Sequence, residues 1–193
     1  MKETNEQNRI RVLGIMGSPR RGGNTDIMLD EVLSGAAEAG ALTEKVMLTD
    51  LDIGPCLACD ACVRDRKCAQ RDDMAGLLAQ MERSQVWVLG TPVYWWGPSA
   101  QLKTFVDRWY GGYRTFSFPG RRVVLVIPFG DTDPETARHT VGMMQDSLDY
   151  VKIELAAVVL AAGANDRGEV LGQPEVLAAA RQAGRDVVLS SRR

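Results

Sequence analysis

Cysteine is missing from this chain except at Cys56, Cys59, Cys62 and Cys68, all inside the stretch PCLACDACVRDRKCAQRDDM. Histidine is scarcer still, with His139 the only one. Ser-His and Cys-His nucleophilic centres need an imidazole base. His139 falls outside the apolar stripe of a predicted helix and reads as a surface residue, so Ser18 and Asp107 have no partner for a triad. No apolar run approaches the ~20 residues of a membrane-spanning helix; the longest, residues 155–164 (LAAVVLAAGA), is about half that. The first nine residues, MKETNEQNR, lack the apolar core of a secretory signal. There is no basic excess: 23 Lys and Arg stand against 25 Asp and Glu, a formal net charge of −2, which argues against nucleic acid. G-x-G-x-x-G and G-K-[ST] are both absent, which removes the dinucleotide fingerprint and the P-loop. These absences predict a cytoplasmic protein with no membrane or nucleic-acid partner, where thiols stay reduced and structural disulfides do not account for the cysteines.

What is present is an alternation of strand and helix along 193 residues, a length suited to one domain. Strands are predicted at residues 10–16, 46–51, 85–90, 122–128 and 153–162. Between them, apolar residues at i, i+3, i+4, i+7 mark helices. The first runs over 24–39 with Gly40 as its C-terminal cap. Met74, Leu77, Leu78 and Met81 mark the second, capped by Asp72 or Asp73. Leu102, Phe105, Val106 and Trp109 mark the third. Helices over 134–151 and 174–189 complete the set. Five βα units predict an α/β fold: a doubly wound, five-stranded parallel sheet of flavodoxin-like order 2-1-3-4-5, with helices on both faces. The whole chain, 1–193, reads as a single domain, with a disordered arm at 1–9, a disordered SSRR tail and a cysteine-loop insertion at 54–71.

In such a sheet, ligands bind beyond the carboxyl ends of the strands. The loop after the first strand, GSPRRGGNT at residues 17–25, offers glycines for close backbone approach. It also offers Ser18, Asn24 and Thr25 as hydrogen-bonding groups, Arg20 as a guanidinium and a helix N-terminus. Those parts suit a phosphate monoester; a polar turn with an Asn or Thr N-cap is the other reading. The loop after the third strand, TPVYWWGPS at 91–99, gathers Pro92, Tyr94, Trp95 and Trp96, good walls for a flat heterocycle. One of the two tryptophans is expected to fill core beneath that loop.

GSPRRGGNT followed by TPVYWWGPSAQLKTFVDR resembles the flavodoxin-like NADPH-dependent FMN reductases. With the cysteine segment ending in DDM, residues 12–108 resemble their iron–sulfur flavoprotein branch. The resemblance implies that Ser18, Arg20, Asn24 and Thr25 hold the FMN phosphate and that Pro92, Val93, Tyr94 and Trp95 line the isoalloxazine ring. Gly130 and Asp131, in the FGD loop after the fourth strand, would touch the ring from its far side.

The cysteine spacing is C-x₂-C-x₂-C-x₅-C. Structural zinc sites use two pairs set a dozen or more residues apart, whereas three cysteines in tight succession with a fourth nearby resemble the bacterial ferredoxin run, except that no proline follows Cys68. With no other cysteine in the chain, Cys56, Cys59, Cys62 and Cys68 are expected to close on one [4Fe–4S] cluster; zinc and metal-free thiols are the other readings. Arg64, Arg66, Lys67 and Arg71 form either a solvated rim or a docking rim for an acidic electron carrier such as ferredoxin. The expected function is an FMN-dependent oxidoreductase passing electrons between a carrier or NAD(P)H and a small acceptor, with no catalytic side chain. Alternatives are a cluster-free NAD(P)H-dependent FMN or quinone reductase, a non-catalytic flavodoxin-like carrier, and a zinc-stabilised interaction protein. A homodimer or homotetramer is expected, joined through Trp95, Trp96, Trp109, Tyr110 and Tyr113 unless these pack inside the subunit.

Overall fold

Side chains alternate across a strand, and here the alternation fills two cores at once. Leu13, Ile15, Trp87, Leu89, Val123, Leu125 and Ile127 point into one. Val12, Met16, Val86, Val88, Val124 and Val126 point into the other. A strand apolar on both sides belongs in the middle of a parallel sheet. In the computed structural model, which describes residues 9–112 and 120–191, these residues form β1 (Arg11–Met16), β3 (Val86–Gly90) and β6 (Arg122–Phe129). With β2 (Leu42–Met47) and β7 (Glu154–Ala162) they make one parallel sheet of order β2-β1-β3-β6-β7, the predicted 2-1-3-4-5 arrangement. Two two-residue strands, β4 (Val93–Tyr94) and β5 (Gly97–Pro98), form a separate antiparallel hairpin.

The first core is covered by α3 (Met74–Arg83), α4 (Ala100–Asp107) and α6 (Arg138–Tyr150). The predicted stripe Met74, Leu77, Leu78 and Met81 is buried as a unit. The second core is covered by α1 (Asn24–Glu38) and α7 (Pro174–Ser190). Those two helices touch backbone to backbone: a Cβ on Gly35 would lie 1.9 Å from the Arg181 carbonyl oxygen, and one on Gly184 2.0 Å from that of Val32. Only glycine fits there. Two shorter helices, α2 (Ala61–Asp65) and α5 (Trp109–Gly112), lie in the cysteine loop and after α4.

Several expectations are corrected. The second strand is Leu42–Met47, and residues 48–50 are a 3₁₀ turn. An edge strand pairs on one side only, so its half-exposed LTEKVM carries no continuous apolar run. Of the two candidate caps of α3, Asp72 makes the bond, its Oδ1 accepting from Met74 N at 3.2 Å, and Asp73 makes no side-chain cap bond. Trp109, proposed as an outer contact, is buried against Trp87 and Phe105. Arg9 is anchored, donating to the carbonyls of Gly40 and Ala41, and Ser190 belongs to α7. The rest of the predicted N-terminal arm, Tyr113, and the last two residues of the predicted tail lie outside the described residues. Among the described residues, no helix is long and apolar enough to cross a membrane.

Candidate functional site

Beyond the carboxyl ends of the strands, four loops surround a pocket of about 100 Å³. The loop after β1 contributes Ser18, Arg20, Asn24 and Thr25; the loop after β3, Pro92, Val93 and Tyr94; β6 and its loop, Pro128, Phe129 and Gly130; the loop after β7, Ala164 and Asn165. The first loop is pinned at its base, where Gly17 N donates to the Gly90 carbonyl at 2.7 Å. Ser99 joins the first and third loops: its hydroxyl donates to the Gly17 carbonyl and accepts from Leu102 N, capping α4. The chain then turns through Gly22, at φ +61°, a left-handed conformation suited to glycine.

Asp26 fixes that turn by accepting from Gly22 N at 2.7 Å and from Lys45 Nζ at 2.9 Å. Burial pushes the Asp26 carboxyl up. The Lys45 and Gly22 hydrogen bonds, with the charges of Lys45 and Arg21, outweigh it and hold the pKa below the ordinary carboxylate value. The first α-helical bond of α1 runs from Ile27 N to the Gly23 carbonyl. The N–H groups of residues 24–26 therefore face the N-terminal end, where the helix dipole favours an anion.

The pocket residues divide by what their side chains already do. Arg20 is exposed and makes one long bond, Nη1 to the Asn165 carbonyl at 3.4 Å, so its charge is available. Asn24 is buried and engaged. Its Nδ2 donates to the carbonyls of Ala164 at 3.0 Å and Asp166 at 2.8 Å, and its Oδ1 accepts from Val170 N at 3.2 Å. Asn24 is thus a strut between the first and last loops. Gly130 lets the β6 loop close on the β7 loop, since a Cβ there would lie 2.8 Å from Asn165 Oδ1.

Two of the predicted site residues stand apart from the pocket. Asp131 shapes the turn after β6, and the Thr136 hydroxyl at 2.7 Å and Asp133 N at 3.1 Å hold its carboxyl below the usual pKa. Trp95 is 92% exposed at the tip of the β4–β5 hairpin and Trp96 is 52% exposed, so neither fills core. Both have positive φ, +51° and +61°, as a two-residue hairpin turn demands. Ala164 and Asn165 were not foreseen; their only local signal was a position just beyond a strand end.

The four cysteines are free. Cys56, Cys59 and Cys68 are exposed and Cys62 is buried. Among the described residues, no three or more of His, Cys, Asp and Glu stand together as a group able to hold a metal ion. The loop is instead organised around a residue that the sequence reading passed over. Arg108 Nη1 donates to the Gly54 carbonyl at 2.9 Å and to Asp72, while Nη2 donates to Asp72 at 3.1 Å and to Cys68 Sγ at 3.5 Å. The hydrogen bond from Arg108 holds the Asp72 carboxyl below its usual pKa, and that same bond raises the pKa of the guanidinium.

Residues 10–164 match the family described as NADPH-dependent FMN reductase. The chain belongs to that family. It is 42% identical over 99 residues to an iron–sulfur flavoprotein of Methanocaldococcus jannaschii, a match covering 51% of each chain. It is 40% identical over 99 residues to an iron–sulfur flavoprotein of Archaeoglobus fulgidus, covering 51% of this chain and 45% of that one. The chain thus spans about half the length of the curated relatives it matches. Among solved structures, an NAD(P)H:quinone oxidoreductase from Methanothermobacter marburgensis shares the fold, with a TM-score of 0.73 at 20% identity over 93% of this chain and 99% of that one. The family match covers the first three loops of the pocket and the cysteine loop, and ends at residue 164, just before Asn165.

Proposed function

We propose that this family member is an FMN-dependent oxidoreductase that seats the FMN phosphate at the N-terminus of α1. One observation carries the reading: Ser18, the available guanidinium of Arg20 and the first N–H groups of α1 converge on one pocket that continues into the wall made by Pro92, Val93 and Tyr94. A cavity of about 100 Å³ is well below the ~300–1,000 Å³ of whole-ligand pockets. It therefore suits the phosphate end, with a ring lying over the open part beside Tyr94. No carboxylate, histidine or thiol among the described residues lines this pocket. Bound FMN supplies hydride or single-electron transfer. The side chains bind and orient it: Arg20 neutralises the phosphate, Ser18 and the α1 amides bond its oxygens, and Tyr94 flanks the ring. Reduced NAD(P)H is the proposed donor, with a small molecule as acceptor.

Cys56, Cys59, Cys62 and Cys68 are the proposed ligands of an iron–sulfur cluster. Four free thiols supply the right donor chemistry, and the names of the two archaeal relatives support it. The thiols do not stand together as arranged, so the flavin site carries the proposed chemistry by itself. That same observation favours the second reading, a cluster-free FMN or quinone reductase. The exposed rim Arg64, Arg66, Lys67 and Arg71 suits an acidic carrier such as ferredoxin. The exposed Trp95 and Trp96 suit contact with a second copy in a homodimer or homotetramer. The visible spectrum of anaerobically purified protein, with flavin, iron and acid-labile sulfide assays, tests these statements. Flavin with four irons per chain supports the first reading and flavin without iron the second; loss of both refutes the assignment.

A further inference from the structure

Hydrogen bonds of the chain itself close the neck of the cysteine loop. At its neck, Asp73 N donates to the Asp52 carbonyl at 3.0 Å and Asp52 N to Asp73 Oδ2 at 2.7 Å. Farther in, Gln70 Nε2 donates to the Pro55 carbonyl at 3.1 Å. Within the loop, Asp60 Oδ1 accepts from Tyr110 Oη at 3.1 Å and Arg64 Nη1 donates to the Cys59 carbonyl at 3.2 Å. Leu57 and Val63 are 65% and 43% exposed, and between Pro55 and Arg71 only Ala61 and Cys62 are buried. A segment with so few buried side chains depends on directional bonds for its shape. The strongest candidate is Arg108, whose side chain is 2% exposed against 10% for Asp72.

We infer that Arg108 is the positioning residue of the cysteine loop: one buried guanidinium ties the incoming limb at Gly54 to the outgoing limb at Asp72 and presents Nη2–H to Cys68. The planar fork is what makes this possible. Its two outer nitrogens reach a carboxylate, a carbonyl and a sulfur together, which a lysine ammonium on a single flexible stem does not reproduce. Arg108 follows α4, whose Leu102 and Phe105 are fully buried in the first core. The loop is thereby referenced to the rigid body of the domain. Every contact of the clamp is to a protein group, so the role does not depend on what the loop carries.

The test compares the full chain with Arg108→Lys, Arg108→Met and the charge-balanced pair Arg108→Met/Asp72→Asn, all metal-free in chelator. The last variant leaves no uncompensated buried carboxylate, so it keeps the comparison open if Arg108→Met fails to fold. Trypsin cleavage at the exposed Arg64, Arg66, Lys67 and Arg71 is followed by mass spectrometry beside the urea midpoint of the whole domain. Cleavage of the loop at least tenfold faster in Arg108→Lys and in the double variant, at a rate exceeding what their global stability change explains, is the expected result. Cleavage unchanged, or rising only in step with global unfolding, overturns the inference by making Arg108 an ordinary core ion pair. A parent chain that takes up no iron sinks the cluster reading alone, and the cleavage comparison still decides the clamp.

Discussion

Replacing Asn24 by alanine separates a structural strut from a ligand contact. The buried side chain makes three bonds to the segment that follows β7: to the Ala164 carbonyl at 3.0 Å, to the Asp166 carbonyl at 2.8 Å, and from Val170 N at 3.2 Å. Each neutral bond contributes about 0.5–1.5 kcal/mol net, and a buried partner left unsatisfied costs about 1–3 kcal/mol. Alanine recovers about 0.5 kcal/mol through its better helix propensity. The expected loss is about 2–4 kcal/mol, or roughly 5–15 °C in Tm for a domain of this size. The wall made by Ala164 and Asn165 then loosens, so FMN affinity falls as a consequence of the lost order. Urea unfolding followed by tryptophan fluorescence reads the first effect, and flavin fluorescence quenching the second. Asn24→Asp, nearly isosteric, should be worse, because it sets a carboxylate against two carbonyl oxygens. A variant of unchanged stability that nevertheless loses flavin would refute the strut and return Asn24 to direct contact with the phosphate.

Arg20→Ala should behave in the opposite way: FMN binding weakens by about 10–150-fold, from a charge-assisted contact of ~1.5–3 kcal/mol, while the urea midpoint barely moves. Equal affinity in a flavin titration would remove the phosphate assignment. Cys59→Ser should abolish iron incorporation and leave flavin bound, since no cysteine lines the pocket; full iron content in that variant would exclude a cluster that uses all four thiols. Asp26 gives a pH signature. Its folded pKa lies below the ordinary value of 3.8, so as pH falls the unfolded chain takes up the proton first. The stabilisation is therefore present above about pH 4 and lost as pH drops through the lower folded value. Asp26→Asn should accordingly lose less stability than the parent between pH 5 and pH 3, and parallel urea midpoints over that range would contradict this.

The order of elements was legible in the sequence because it depends on local periodicity. Strands apolar on both sides, such as RVVLVIPF, and stripes at i, i+3, i+4, such as Met74, Leu77, Leu78 and Met81, declare where they are buried without reference to the rest of the chain. That the first and third loops share one pocket was legible for a related reason: both follow strands at the carboxyl edge of the sheet, where such folds place their ligand crevice. The edge strand was not, because pairing on one side leaves it half exposed and without a clear pattern. Nor was the division of labour inside the site. Asn24 and Arg20 both read as phosphate contacts, Asn24 the weaker, and only packing shows that Asn24 is bound to backbone 140 to 146 residues away, leaving Arg20 available. Trp95 and Trp96 read as walls or core until the hairpin turn puts both into solvent. Arg108 looks like the end of an amphipathic helix, and its partners Gly54, Cys68 and Asp72 lie 36 to 54 residues earlier. Such contacts have no periodicity to read: they follow from where the sheet brings the ends of distant strands and the loops between them, and hydrogen bonding there is decided by distance in space.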